Sequence, residues 1–119
     1  MKRSATWITG VGICTPCGNS VDAVADALLN GRSAIRQVAR FDTTQHASQI
    51  AASVDTIPHL DDCDATELAN GVPAERLTIY CAGQALRSAG LWDQRRELRV
   101  GLAIGVGSEW LLNWEGDGL

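Results

Sequence analysis

The feature that most limits the fold of this chain is an uncharged apolar run over residues 5–15, which contains two glycines. Its large side chains are β-branched or aromatic, and Pro16 follows it directly. Such a run is typical of a strand that is buried on both faces, because no polar face alternates with the apolar one. A strand of this kind needs neighbouring strands and covering helices, so the run predicts a layered α/β fold.

Two helices are predicted after this run. Ser20 or Asn19 can cap the first helix, whose apolar residues recur at helical spacing, and Gly31 is placed to end it. Pro73 suits the first turn of the second helix, and an apolar stripe continues from there to a stop at Gly90. Both ends of both helices are therefore defined by local signals.

Further strands are predicted between and after the helices. Residues 49–54 predict a short strand, and residues 97–107 form an apolar run broken only by glycines, which favours a second buried strand. Residues 31–44 predict an ordered surface loop, and the acidic residues 55–70 predict a solvated excursion. The alternation of strand and helix indicates an α/β architecture with partly parallel pairing, and residues 108–115 allow one or two further helical turns.

Composition narrows the class of protein. With 119 residues and 45% hydrophobic content, the chain is one domain or a piece of one, and its strand and helix pairs are too few for a sheet of usual size, so we expect a truncated domain. The formal net charge of -4 disfavours a nucleic-acid partner. We expect no membrane span and no secretion signal, and therefore a cytoplasmic location.

The glycines of the first run raise the possibility of a dinucleotide site. Gly10 and Gly12 follow a predicted strand, but Thr15 stands where the third glycine of the fingerprint belongs, and Pro16 comes before the helix. We therefore interpret both glycines as positions of close backbone packing or of a tight bend, and we expect no cofactor.

The cysteines allow two other kinds of site. Cys14 and Cys17 form a C-x-x-C motif, which leaves a small thiol redox module as an alternative function. A zinc site drawn from Cys14, Cys17, His59 and Cys63 has poor spacing, so we expect no metal. The four cysteines, with Cys81 as the last, are expected to be reduced, and Cys14 and Cys17 are expected to be small thiols at the edge of the core.

Five segments carry an ordered set of motifs. In this order they resemble the amino-terminal region of β-ketoacyl-acyl carrier protein synthases, with the least support over residues 55–73 and after residue 107. The segments are residues 8–20 (ITGVGICTPCGNS), 29–35 (LNGRSAI), 40–42 (RFD), 85–91 (ALRSAGL) and 99–107 (RVGLAIGVG).

The resemblance implies a partial thiolase-like fold, in which residues 1–119 form the amino-terminal segment of an apparently truncated synthase domain. That segment is an incomplete first α/β half, with a mixed or parallel sheet and flanking helices. In the complete fold, two related halves surround a buried active site, and two subunits form a homodimer or a heterodimer.

The resemblance also implies an acyltransferase activity in fatty-acid or polyketide biosynthesis. A cysteine at the start of a buried helix holds the acyl chain as a thioester, and two histidines support the decarboxylation of a malonyl thioester and stabilise the oxyanion. The partners are an acyl carrier protein and the acyl and malonyl thioesters. The family's nucleophile lies beyond Leu119, so no catalytic residue is carried over and the chain alone is expected to be inactive.

Two departures from the family leave a second interpretation open. The segment over residues 75–86 is shorter than the family's usual helix there, and Trp110, Trp114 and Glu115 replace a glycine-rich continuation. A non-catalytic partner subunit of the same fold is therefore an alternative to an active synthase.

Overall fold

The computed structural model of the protein describes residues 5–61, 71–105 and 107. Two helices and one small sheet form in this part of the chain. In chain order the elements are α1 (Val21–Leu29), β1 (Arg36–Gln37), β2 (Ile50–Ala51) and α2 (Pro73–Ser88). Both predicted helices are thus confirmed, and none of the described helices is long and apolar enough to cross a membrane.

Helix α1 begins and ends at the residues that local chemistry predicts. The Ser20 hydroxyl accepts a hydrogen bond of 3.2 Å from the N–H of Ala23, which satisfies one of the free donors of the first turn. After the helix, Gly31 has φ of 62°, a left-handed conformation that costs glycine little. The Arg32 N–H then returns to the Ala27 carbonyl at 2.8 Å and closes the helix end.

Helix α2 is 16 residues long and is closed at both ends by its own sequence. Pro73 occupies the first turn, where its missing N–H has no partner to lose. The Glu75 carboxylate accepts a bond of 3.2 Å from the N–H of Val72 and also faces the positive end of the helix dipole. Gly90, with φ of 70°, follows the last turn as predicted.

The sheet consists of β1 and β2, which pair antiparallel with Arg36 opposite Ala51 and Gln37 opposite Ile50. The strand predicted over residues 49–54 is confirmed at its centre. Strand β1 lies within residues 31–44, which were predicted to form a loop. The sequence does not indicate this strand, because Arg36 and Gln37 have no apolar pattern. An ion pair between Arg36 and Asp55 adds a contact beside the sheet.

The loop between β1 and β2 is ordered by turns, as predicted for its first part. The N–H of Thr44 donates to the Asp42 carboxylate at 3.0 Å, and this bond lowers the pKa of Asp42. The N–H of His46 donates to the carbonyl of Thr43 at 3.0 Å, and Thr43 is buried. His46 also packs edge-on against the ring of Phe41.

The two buried strands predicted from the apolar runs are wrong. Residues 5–14 and 99–105 form no strand pairing with any described residue, and most of their large side chains are exposed, Trp7 at 81% and Leu102 at 74%. A strand buried on both faces needs a hydrogen-bonded neighbour on each side, and apolar composition alone does not supply one. The predicted mixed or parallel sheet is therefore not formed in the described part, where the sheet is one antiparallel pair.

The buried core lies around α2 and is small. Leu60 and Tyr80 are buried, and Ala27 is buried on α1. A methyl group of Leu60 sits directly over Gly83, where any side chain on α2 would collide with it. The helical turns predicted over residues 108–115, and most of the acidic excursion, lie outside the described residues.

Candidate functional site

The amino-terminal run lies against the backbone of α2, and its two glycines make this contact possible. A Cβ atom at Gly12 would stand 1.8 Å from the carbonyl oxygen of Cys81, and one at Gly10 would stand 2.1 Å from that of Ala85. No side chain fits at either position, so only glycine allows this approach. The interpretation of the two glycines as positions of close packing is confirmed.

The same geometry argues against a phosphate-binding loop. Such a loop places glycines at the amino terminus of the helix that follows it, where free N–H groups face the ligand. Gly10 instead contacts the carboxyl-terminal half of α2 near Ala85 and Ala89. Helix α1, the next helix along the chain, does not begin until after its cap at Ser20.

Gln84 makes three hydrogen bonds, two of which join α2 to the amino-terminal segment. Its side-chain oxygen accepts from the N–H of Ile13 at 2.9 Å, and its side-chain nitrogen donates to the Asn19 carbonyl and to the Tyr80 hydroxyl, each at 2.6 Å. The Tyr80 hydroxyl also donates to the Asn19 carbonyl at 3.0 Å. Sequence analysis missed Gln84. Its polar side chain, three positions after Cys81 on the apolar stripe of α2, was the feature that could have indicated a polar contact there.

A tight turn separates the two cysteines of the C-x-x-C motif. Thr15 and Gly18 exchange backbone hydrogen bonds of 2.8 and 3.1 Å, and the N–H of Cys17 donates to the Thr15 hydroxyl at 3.2 Å. Because α1 begins only after Ser20, Cys17 precedes the helix instead of lying within its first turn. The motif therefore lacks the helix position that activates a redox thiol.

The thiols near α2 are kept in their neutral form. Burial raises the pKa of Cys14, and the neighbouring Cys81 raises it further. Burial also raises the pKa of Cys81, although a hydrogen bond from the backbone N–H of Cys14 acts in the opposite direction. The Tyr80 hydroxyl has its pKa raised by burial and by both thiols. A redox nucleophile needs a lowered pKa, so the redox interpretation is not supported at Cys14.

The described part of the chain does not bring together the zinc ligands considered above, which are Cys14, Cys17, His59 and Cys63. Cys63 lies outside the described residues. Among residues 5–61, 71–105 and 107, no group of three or more histidine, cysteine or acidic side chains is placed to hold a metal ion.

Comparison with known families tests the resemblance in the sequence. A model of the amino-terminal domain of β-ketoacyl synthases matches residues 4–117, which is nearly the whole chain. The chain belongs to the β-ketoacyl synthase family. The interpretation of the five ordered motifs is confirmed, and the glycine contact with α2 involves the first of those motifs in this synthase chain.

Several relatives in the synthase family are about one-third identical to the chain. The actinorhodin polyketide putative beta-ketoacyl synthase 1 of Streptomyces coelicolor is 34% identical over 106 residues, which are 88% of this chain and 22% of that protein. The 3-oxoacyl-[acyl-carrier-protein] synthase 2 of Coxiella burnetii is 32% identical over 90% of the chain and 26% of its own length. The tetracenomycin polyketide synthase ketoacyl synthase alpha subunit of Streptomyces glaucescens is 32% identical over 83% and 24%.

The matches cover only part of each relative. The chain spans about a quarter of the length of these curated synthases. No solved structure matches the chain significantly.

Replacing Gly12 tests the packing of the run on α2. Gly12→Ala places a methyl group inside the Cys81 carbonyl, so the run must move, and we expect a loss of about 1–3 kcal/mol in unfolding free energy. Urea denaturation of the full-length protein measures this loss. The control is Gln45→Ala, which truncates an exposed side chain in a turn outside both apolar runs. Equal effects of both substitutions would contradict the contact.

Alkylation with iodoacetamide tests the protonation of the thiols. Because the folded pKa of Cys14 and of Cys81 lies above the ordinary 9.0, folded protein at pH 7 holds less thiolate than unfolded protein. We expect both cysteines to react more slowly in native protein than in urea, with the difference closing as the pH rises above the folded pKa. Peptide mass spectrometry gives each rate. Faster reaction of Cys14 in native protein would restore the redox interpretation.

Proposed function

We propose that the chain forms the amino-terminal part of an active β-ketoacyl synthase, which extends an acyl chain by two carbons on an acyl carrier protein. The observation that carries this proposal is the family match over residues 4–117. Two of the relatives described above are named a 3-oxoacyl-[acyl-carrier-protein] synthase and a polyketide beta-ketoacyl synthase. Their names point to the same pair of pathways, fatty-acid and polyketide assembly, as the motifs of this chain.

The surface of the described residues supports a role as part of a larger domain. Large apolar side chains remain open to solvent on both apolar runs, among them Ile8 at 88% and Ile104 at 55% exposure. Burial of one such side chain is worth about 1.5–3 kcal/mol, so several together provide a strong drive to pack against further protein. We propose that other parts of the same synthase domain cover the exposed residues 5–9 and 99–105.

The chemistry of the proposed reaction needs groups that the described residues do not provide. An activated thiolate attacks the acyl thioester and takes the acyl group, releasing the carrier thiol. Loss of CO2 from the malonyl thioester then gives a carbanion, which attacks the acyl-enzyme and displaces the thiolate. Cys14 and Cys81 carry raised pKa values, which is the opposite of activation. The nucleophilic cysteine and its two histidines are therefore proposed to lie outside residues 1–119.

The proposal also covers partners and location. An acyl carrier protein delivers both thioesters, and the complete synthase acts in the cytoplasm as a homodimer or a heterodimer. Residues 1–119 supply a framework in this assembly, since the glycine contact and the Gln84 bonds fix the amino-terminal run against α2.

A condensation assay tests the proposal. Full-length protein is incubated with an acyl carrier protein loaded with an acyl group and a second one loaded with malonate. We expect a 3-oxoacyl thioester two carbons longer, with one CO2 released for each product. The matched variant carries Cys14→Ser and Cys17→Ser, and we expect it to keep its rate, because neither thiol reacts in the proposed mechanism. Mass spectrometry of the carrier-bound product gives both rates.

Two other outcomes of this assay have distinct meanings. In the first, the protein alone gives no product, but product forms when the protein is mixed with a second synthase subunit. That result would support the alternative function, a non-catalytic partner subunit of the same fold. Absence of product under both conditions would overturn the proposal. Loss of activity in the double variant, with the fold retained, would place catalysis at the C-x-x-C motif.

A further inference from the structure

The contact between the amino-terminal run and α2 brings two cysteines to opposite sides of one interface. The run and the helix are antiparallel, because Gly10 contacts Ala85 and Ala89 while Gly12 contacts Cys81 and Ala85. A step of two residues along the run thus corresponds to about one turn towards the amino terminus of α2. Cys14, two residues after Gly12, continues in this direction past Cys81.

The direction of the Cys81 side chain on α2 favours a short separation from Cys14. In an α-helix the Cα–Cβ bond tilts towards the amino terminus, so the Cys81 thiol leans in the direction in which Cys14 lies. The contact of Gly12 with the Cys81 carbonyl places Cys14 two residues along the run from Cys81, and both thiols lie close enough to the Tyr80 hydroxyl to raise its pKa. Both cysteines are free and partly exposed, so a small reagent can reach them.

We propose that Cys14 and Cys81 form a reversible disulfide under a two-electron thiol oxidant, which makes this interface a site of covalent modification. The bond joins two residues far apart in sequence and fixes the amino-terminal run to α2. The 2.9 Å bond from Ile13 to Gln84 already holds the backbone beside Cys14 in place, which favours the short separation that a disulfide needs.

Cys17 is the competing partner of Cys14, and its surroundings direct it elsewhere. Cys14 and Cys17 both line a pocket at the turn, but Cys17 also lines a groove beside Ala23 and Ala27 of α1, whereas Cys14 interacts electrostatically with Cys81 of α2. The two backbone bonds between Thr15 and Gly18 hold the turn that separates them. A disulfide to Cys81 leaves these two backbone bonds in place, because Cys81 lies outside the turn.

Oxidation with diamide gives a balanced form of the proposed step. The S–H bonds of Cys14 and Cys81 break and one S–S bond forms, while both hydrogens and two electrons pass to the azo nitrogens and reduce diamide to a hydrazine. The Cys14 or Cys81 thiolate attacks first, so the rate increases with pH as the thiolate fraction grows, and burial shifts this increase to higher pH by raising the pKa of both thiols. Dithiothreitol reverses the step and restores two thiols.

Peptide mapping of the full-length protein identifies the bond. After diamide treatment and blocking with N-ethylmaleimide, trypsin releases residues 4–32, which hold Cys14 and Cys17, and residues 77–87, which hold Cys81. We expect these two peptides to be joined by a disulfide and to separate with dithiothreitol. A bond confined to residues 4–32, or no bond to residues 77–87, would overturn the proposal.

Three single variants identify the atoms involved. The joined peptides should persist in Cys17→Ser and should be lost in Cys14→Ser and in Cys81→Ser. Loss of the bond in Cys17→Ser with retention in Cys14→Ser would show that Cys17, and not Cys14, pairs with Cys81, and would contradict the proposal. Oxidation in urea completes the test. In folded protein we expect Cys14 to pair with Cys81, whereas in unfolded protein it should pair more often with Cys17, which is nearer in sequence. An unchanged preference would contradict the proposal.

Discussion

The carbonyl oxygens of Cys81 and Ala85 lie where side chains would stand if Gly12 and Gly10 were any other residue. This contact places a backbone directly on a helix backbone, so the spacing between them leaves no room for adjustment. Gln84 then bonds to Ile13 and to the carbonyl of Asn19 and fixes both ends of the segment. The cysteine turn and the start of α1 take their positions from this contact.

The contact also explains why cysteines are harmless in this part of a synthase chain. Enclosure against α2 removes water from Cys14 and Cys81, and a thiolate loses more than a thiol when water is removed. The proposed reaction uses one activated cysteine, so neutral thiols elsewhere would not compete for the acyl group. We therefore view residues 1–119 as framework, with the reacting groups supplied by the remainder of a complete synthase.

The parts of the fold that the sequence predicts are those whose signals are local. Ser20 and Gly31 define α1, and Pro73 and Gly90 define α2, through bonds within a few residues of each end. The prediction of a strand over residues 97–107 was wrong, because a strand forms only beside a hydrogen-bonded neighbouring strand and its own residues do not specify that neighbour.

The candidate site follows the same division between local and distant signals. The packing role of Gly12 was predictable, because a missing third glycine and an intervening proline exclude a nucleotide loop. The role of Gln84 was not, because its three hydrogen bonds reach residues more than sixty positions away as well as its helical neighbour Tyr80. A single polar residue on an apolar stripe indicates a buried polar contact without naming the partner.

We propose that this chain belongs to a condensing enzyme whose acyl group is carried by a cysteine outside residues 1–119. Locating the acyl group tests it most directly. Full-length protein is incubated with an acyl-loaded carrier protein, quenched in acid, digested and examined by mass spectrometry for a thioester-linked acyl chain. We expect one acylated cysteine, outside residues 1–119, with Cys14, Cys17, Cys63 and Cys81 unmodified. An acyl group on any of these four cysteines would contradict it.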